Sequence, residues 1–291
     1  MKRLTLLTLA LMACTQLALA APSTTRLWES APEFRGPESV LYDAARERLY
    51  VSNVDGAPTD KDGKGFISIL GMDGRIERLE WVSGLDAPKG LALVGERLYV
   101  ADIDALVEID VTHGQVLARH AAAGAKFLND VTADTDGNVY VSDMATNRIY
   151  RLQGGRLEQW LESPALDNPN GLHAVGDRLY VGAWGVMGED FATPVPGRIK
   201  TVSLGDKRVS DFAGTAPVGN MDGIEVLPDG RVLATDWMAG GLMLVGPDGS
   251  RLVLDKLSPG SADLGYAPAT RTVLVPMMND GKVIAFRLSL Q

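Results

Sequence analysis

The chain has 291 residues but only one cysteine, Cys14, and three histidines. Cys14 lies in the first twenty residues, where an apolar run is followed by Ala18-Leu19-Ala20, as is typical of a secretory signal with its cleavage site. Cleavage after Ala20 would leave residues 21–291 without a thiol, which excludes disulfides and thiolate metal sites. We expect a periplasmic or secreted protein. The alternative is a lipoprotein anchored at Cys14.

Positive charge is also scarce, with 28 Lys and Arg against 37 Asp and Glu. Loss of Lys2 and Arg3 with the signal changes the formal net charge from −9 to −11. Such a balance argues against nucleic acid or an anionic membrane surface as the main partner. No stretch after residue 20 approaches the roughly 18 apolar residues of a membrane span. We therefore expect a single domain over residues 21–291 that binds a small molecule.

No long amphipathic helix is indicated, and a repeat of 40 to 52 residues takes its place. Each of six units has a short apolar run, a turn such as Pro228-Asp229-Gly230, and a strand such as Leu98-Tyr99-Val100. This pattern predicts an all-β, six-bladed β-propeller. The last unit is one strand short and Thr25–Trp28 stands alone before the first, so we expect an N-terminal strand to complete the last blade.

One position recurs ten to twelve residues before the middle of each of these strands. In a propeller, the six equivalent side chains converge near the central axis. Four of them carry oxygen, which suits a hard cation such as Ca²⁺ or another divalent ion such as Mg²⁺. Asn170-Gly171 and Asp222-Gly223 could instead be simple turns. The six residues are Glu38, Lys89, Asn129, Asn170, Asp222 and Ala262.

These residues resemble those of the senescence-marker (regucalcin-like), gluconolactonase and luciferin-regenerating-enzyme group of six-bladed propellers, which has paraoxonases and diisopropyl-fluorophosphatase as distant relatives. The resemblance implies that Glu38, Asn170 and Asp222 bind a divalent cation. It makes Asn129 a further ligand or a contact to substrate. It also implies that calcium polarises a lactone or ester carbonyl, with Asp222 as the base or nucleophile.

Two features depart from the group. Ser39-Val40 follows the glutamate where Gly-Pro is usual, and Gly36-Pro37 comes before it. Lys89 is also unexpected beside a cation. It could anchor an anionic substrate, which we favour, act as a nucleophile of low pKa, or replace the metal.

Apolar residues four positions beyond the strand middles predict a collar around the site. Two long loops, Asp55 to Gly65 and Gly185 to Gly197, follow the collar, and the second carries Met187 and Phe191. We expect Lys89, Trp184, Trp237, Met144 and Met278 to line a substrate pocket. The collar consists of Val54, Ile103, Met144, Trp184, Trp237 and Met278.

Two other signals are weaker. The calcium-loop-like DKDGKGF from Asp60 has Lys64 and Gly71 where that motif needs ligands, so a loop turn is expected. His113 and His120 are placed on outer segments, and His173 on the face of its strand opposite to Asn170. We do not expect a catalytic histidine.

Three functions remain open. The favoured one is an exported calcium-dependent lactonase or esterase in which Asp222, Asn129 and Lys89 act on the substrate. The second is a non-catalytic propeller that binds a ligand or protein, with a structural or absent metal. The third is a metal-free enzyme of the strictosidine-synthase type that uses Glu38 as its base.

Overall fold

The computed structural model describes residues 21–188, 193–212, 214 and 216–290. The predicted signal with Cys14, and the loop residue Phe191, lie outside these residues. The described chain forms six antiparallel four-stranded sheets and two single 3₁₀ turns, Pro164–Leu166 and Pro268–Thr270. Within these ranges no helix is long and apolar enough to cross a membrane.

The strands are numbered in chain order, and each blade begins with its inner strand. Blade 1 holds β2 (Pro37–Asp43), β3 (Arg48–Asn53), β4 (Gly65–Gly71) and β5 (Ile76–Leu85). Blade 2 holds β6 (Pro88–Val94), β7 (Arg97–Asp102), β8 (Ala105–Asp110) and β9 (Gln115–Ala121). Blade 3 holds β10 (Leu128–Ala133), β11 (Val139–Asp143), β12 (Arg148–Gln153) and β13 (Arg156–Glu162).

The other three blades repeat this order. Blade 4 holds β14 (Pro169–Val175), β15 (Arg178–Ala183), β16 (Ile199–Ser203) and β17 (Val209–Asp211). Blade 5 holds β18 (Met221–Val226), β19 (Val232–Asp236), β20 (Gly241–Val245) and β21 (Arg251–Asp255). Blade 6 holds β22 (Gly265–Ala267), β23 (Thr272–Met277), β24 (Lys282–Ser289) and the N-terminal β1 (Ser23–Glu29).

The inner strands form a closed ring. Strand β2 contacts both β6 and β22, and the contacts continue from β6 to β10, β14, β18 and back to β22. The predicted six-bladed β-propeller is therefore confirmed. In blades 1, 3, 5 and 6 the second strand is almost wholly buried, since it has blades packed on both of its faces. Apolar clusters fill the spaces between neighbouring blades, for example Leu49 and Val51 of blade 1 against Leu274 and Val283 of blade 6.

Strand β1 joins the two ends of the chain. It pairs antiparallel with β24, from Ser23 opposite Ser289 to Glu29 opposite Ile284. Its Trp28 packs against blade 1, and the indole Nε1 donates a 2.9 Å hydrogen bond to the carbonyl of Met72. A Cβ at Gly74 would lie 2.6 Å from the Trp28 ring, so glycine is needed there. One side chain thus ties blade 6 to blade 1.

We expect Trp28→Ala to lower the free energy of unfolding by about 3 kcal/mol, because it removes packing and a hydrogen bond at the closure. Trp28→Phe keeps most of the packing and should cost about 1 kcal/mol. Equilibrium denaturation in urea measures both. Losses of equal size would show that packing on blade 1 contributes nothing to the closure.

Candidate functional site on the propeller axis

Five inner strands begin with the same irregularity. In β2, β6, β10, β14 and β18, one extra residue lies between the first and second cross-strand pairs, which is a β-bulge. A bulge redirects side chains. The residue directly after the first pair is the one singled out in the repeat, so the structure places all of these side chains at one level of the ring: Glu38, Lys89, Asn129, Asn170 and Asp222.

The next residue in each bulge is hydrogen-bonded differently in alternate blades. In blades 1, 3 and 5 its N–H donates to a hydroxyl, 2.9 Å away, of Ser52, Ser142 or Thr235. The even blades have Ala101, Gly182 and Pro276 at this strand position. Sequence reasoning missed these hydroxyls, although their alternation around the repeat is visible in the sequence.

Gly171 and Gly223 lie inside strands β14 and β18, so the interpretation of Asn170-Gly171 and Asp222-Gly223 as turns is wrong. Neither glycine has a positive φ. They are needed because the next blade lies very close. A Cβ at Gly171 would lie 2.4 Å from the carbonyl oxygen of Asp222, and one at Gly223 would lie 2.4 Å from Oδ1 of Asp263. Glycine allows the inner strands to crowd around the axis.

The five side chains form the floor of a cavity of about 310 Å³ at one end of the axis. The predicted pocket residues Trp184, Trp237, Met144 and Met278 all line it, as does Val54. Ile103 packs behind the lining, against Val54 and Ala87. Three lining residues were not predicted, because they precede or follow the repeated positions: Pro58, Phe127 and Met238.

Three oxygens of the floor are buried without a hydrogen-bond partner: Oε2 of Glu38, Oδ1 of Asn170 and Oδ1 of Asp222. Buried acceptors are nearly always paired, so three on one cavity floor indicate a site for a donor or a cation. Asn129 turns its amide nitrogen toward the sulfur of Met144, 3.7 Å away. No group of three or more His, Cys, Asp or Glu side chains among the described residues could hold a metal. The floor instead combines two carboxylates with two carboxamides, which are ligands that Ca²⁺ accepts.

The two carboxylates are electrostatically strained. Burial raises the pKa of Glu38 well above its ordinary value, and Asp222 and Asp263 raise it further, while Lys89 opposes them. Burial and Asp263 likewise raise the pKa of Asp222, against a hydrogen bond from Asn170 and the charge of Lys89. Positive charge on the floor would therefore favour both ionised forms.

Lys89 does not supply this charge by direct contact. It is 2 % exposed, and Nζ donates to the carbonyls of Ala87 at 2.8 Å and Pro58 at 2.9 Å. Nζ also lies 4.8 Å from the ring centre of Phe127. No ion pair within 4.0 Å joins it to a carboxylate of the described chain. Burial lowers the pKa of Lys89 to about 8, although Glu38 and other acids oppose this. The ammonium is thus held in place by two carbonyls, which leave one of its three N–H bonds unused.

A second acidic layer, which sequence reasoning missed, lies beneath the floor. Asp263 accepts a 2.5 Å hydrogen bond from the hydroxyl of Ser39, and burial raises its pKa to about 7. Asp130 accepts hydrogen bonds from the backbone N–H groups of Val131 and Leu172. Both carboxylates occupy the position after the floor residue, where three other blades have glycine.

The histidines lie away from the floor, as expected. His113 and His120 are on outer segments of blade 2, next to Asp110 and Glu108. His173 lines a separate cavity of about 180 Å³ at the other end of the axis, where its Nδ1 is 2.7 Å from Oε2 of Glu225. Burial lowers the pKa of His173, but Glu225 more than compensates and the net shift is upward.

Glu225→Gln should therefore lower the pKa of His173, since burial then acts without its counter-charge. An NMR titration of the imidazole in wild type and variant measures this. An unchanged pKa would contradict the assignment of the upward shift to Glu225.

Solved structures share this fold over nearly the whole chain. A gluconolactonase from Xanthomonas campestris, described as important in glucose secondary metabolic pathways, matches with a TM-score of 0.69 and 18% identity, covering 93% of this chain and 96% of the other. A protein described as a candidate gluconolactonase matches with a TM-score of 0.68 and 18% identity, covering 94% of each chain.

A lyase is also similar. Virginiamycin B lyase from Staphylococcus aureus, solved with quinupristin as a catalytically inactive histidine-to-alanine variant, matches with a TM-score of 0.60 and 13% identity over 92% of this chain and 100% of the other. No protein-family model and no curated protein matches the chain. At these identities the likeness shows the fold, and the chemistry has to be argued from the site.

Proposed function

We propose that this protein is an exported, calcium-dependent hydrolase of a small lactone or ester. The observation that carries the proposal is the set of three unpaired, buried oxygens on the floor of the axial cavity, on Glu38, Asn170 and Asp222. The similarity of fold to gluconolactonases is consistent with it. The signal-like segment over residues 1–20 supports action in the periplasm or outside the cell.

The floor residues fit a divalent cation. Glu38, Asn129, Asn170 and Asp222 would hold it through oxygen, and two carboxylates would balance its two charges. A bound calcium ion would act as a Lewis acid on the substrate carbonyl. It would also favour ionised Glu38 and Asp222, whose burial otherwise raises their pKa values.

Asp222 is the residue placed to move the proton. Asn170 donates a hydrogen bond to its carboxylate, while Oδ1 stays without a partner on the cavity floor. We propose that this carboxylate accepts a proton as water attacks the carbonyl carbon. The acyl C–O bond then breaks and the proton returns to the departing alkoxide, which leaves a hydroxy acid. Asn129 positions the substrate, and Lys89 donates its remaining N–H to an oxygen of the substrate.

Three alternatives are less favoured by the geometry: a lyase, a metal-free enzyme and a metal-free binding propeller. The lyase is described as inactive when a histidine is replaced, and among the described residues no histidine lines the axial cavity. In a metal-free enzyme with Glu38 as base, or in a binding propeller without a metal, the unpaired oxygens would need another partner. Lys89 does not provide one, because its ammonium is directed to Ala87 and Pro58.

Asp222→Asn tests the metal without an activity assay. In chelator, the variant should have a free energy of unfolding about 1–2 kcal/mol above wild type, because a buried, unpaired carboxylate is replaced by a neutral isostere. Calcium at 100 times its Kd should then stabilise wild type by about 2.7 kcal/mol and the variant by much less. Urea denaturation with and without calcium measures both effects.

Asp102→Asn is the matched control for this experiment. The carboxylate of Asp102 accepts from the backbone N–H groups of Asp86 and Ala87 and does not line the cavity. Asp102→Asn should lower the free energy of unfolding by the same amount with and without calcium, so that calcium stabilises it as much as it stabilises wild type. An equal gain from calcium in wild type and Asp222→Asn would refute the axial site.

Activity provides a separate test. Wild type with calcium should hydrolyse lactones, and chelator should abolish turnover. Asp222→Asn should reduce kcat/KM by at least about 100-fold, as expected for loss of a general base. Glu225→Gln makes the same chemical change at the other end of the axis and should retain turnover. A pH-stat assay measures these rates. Wild-type-like turnover by Asp222→Asn would refute the proposed role of Asp222 as general base.

A further inference from the structure

Polar and apolar groups are segregated in the axial cavity. Among the described residues that line it, the polar side chains are all on the floor, at the five bulge positions. The other eight described lining residues are apolar or aromatic: Val54, Pro58, Phe127, Met144, Trp184, Trp237, Met238 and Met278. Resting on the proposed function, we propose that the substrate is a lactone or ester with an alkyl or aromatic substituent, and not a polyhydroxylated sugar lactone.

The apolar wall is continuous on one side of the cavity. The rings of Trp184 and Trp237 lie 6.1 Å apart, and Met144, Phe127 and Met187 pack with them in one cluster. Among the eight wall side chains, the strong hydrogen-bonding groups are one N–H on each of the two indoles, and the methionine sulfurs are weak acceptors. The wall therefore offers a large apolar contact surface and few partners for a hydroxyl.

The floor has few groups to spare for additional hydroxyls. Lys89 donates to two carbonyls, one of which belongs to the wall residue Pro58. Asn129 directs its amide nitrogen to Met144. In the proposed function, the unpaired oxygens of Glu38, Asn170 and Asp222 are taken by the cation and by the attacking water. Recognition of the rest of the substrate falls to the wall.

This division has opposite effects on two substrate classes. A sugar lactone has a hydroxyl on most of its ring carbons, and each would lose water without gaining a partner at the wall. An alkyl substituent gains about fourfold in binding for each methylene that leaves water. The apolar surface also extends to the rim, where Met238 is 44% exposed and Val186 is 56% exposed.

The decisive experiment compares lactones that share the same six-membered ring and differ in its substituents. With calcium present, kcat/KM divided by the uncatalysed rate is measured for δ-valerolactone, δ-octalactone, δ-nonalactone and glucono-1,5-lactone. We expect an increase on the order of 100-fold from δ-valerolactone to δ-nonalactone, with glucono-1,5-lactone below all three. A preference for glucono-1,5-lactone would overturn this inference and leave the hydrolase proposal intact.

Binding of the corresponding lactams, which are not turned over, separates the two proposals. Calorimetry should show δ-nonanolactam binding at least tenfold more tightly than gluconolactam. If this holds but no lactone or ester is hydrolysed, the hydrolase proposal fails and the ligand class stands. If gluconolactam binds as tightly or more tightly, the ligand class is wrong whether or not turnover occurs.

A pair of identical substitutions locates the effect. Met278→Gln places an amide in the cavity wall at nearly constant volume and should reduce the preference for δ-nonanolactam over gluconolactam at least threefold. Met72→Gln makes the same change at an outer turn of blade 1 and should leave the preference unchanged. Equal preferences in both variants would show that the wall does not select the ligand.

Discussion

Space around the axis is the constraint on which the rest of this structure depends. Six inner strands meet there, and a bulge at the start of five of them turns one side chain per blade toward the centre. The side chains near the axis have room because other inner-strand positions are glycine and carry no side chain. Gly90 has no Cβ where the carboxylate of Asp130 lies, and Gly223 has none where that of Asp263 lies. The packing of the inner strands therefore also decides which side chains can lie at the site.

Electrostatic cost is the second consequence of this crowding. Glu38, Asp222, Asp130 and Asp263 are all buried in two adjacent layers, and burial raises the pKa of each. In the lower layer, hydrogen bonds from Ser39 and from backbone N–H groups offset the cost. In the upper layer three oxygens have no such partner. The layers thus differ: the lower one is satisfied within the protein, and the upper one presents unpaired acceptors to the cavity.

The cavity above this layer adds a further contrast. The floor side chains lie on the inner strands, whereas the wall comes from residues just after the second strands and from the loops between blades. Most of the wall therefore also lies at repeated positions. In this chain the wall is built from tryptophan, methionine and phenylalanine. The residues that would contact the rest of a substrate thus lie in the blade connections, and the similarity to the gluconolactonase structures shows the fold.

The sequence by itself determined the number of blades and the level of the floor residues. Regular spacing and Asp-Gly turns are local signals, and six copies of one unit reinforce each other. Glu38, Asn129, Asn170 and Asp222 could be found because they repeat, as could most of the pocket wall.

Only the tertiary structure decided how these residues are partnered. From the sequence, Lys89 could anchor a substrate, act as a nucleophile or replace the metal, and the structure shows its ammonium bound to the carbonyls of Ala87 and Pro58. Asn170-Gly171 and Asp222-Gly223 could be read as turns, but they are bulged strands that pack against the next blade. The sequence pattern does not predict a role for Asp130 or Asp263, because a buried carboxylate next to a repeated position has no local signature. In each case the deciding contact joins residues of different blades or loops, and pairing across a closed ring cannot be inferred from the spacing within one unit.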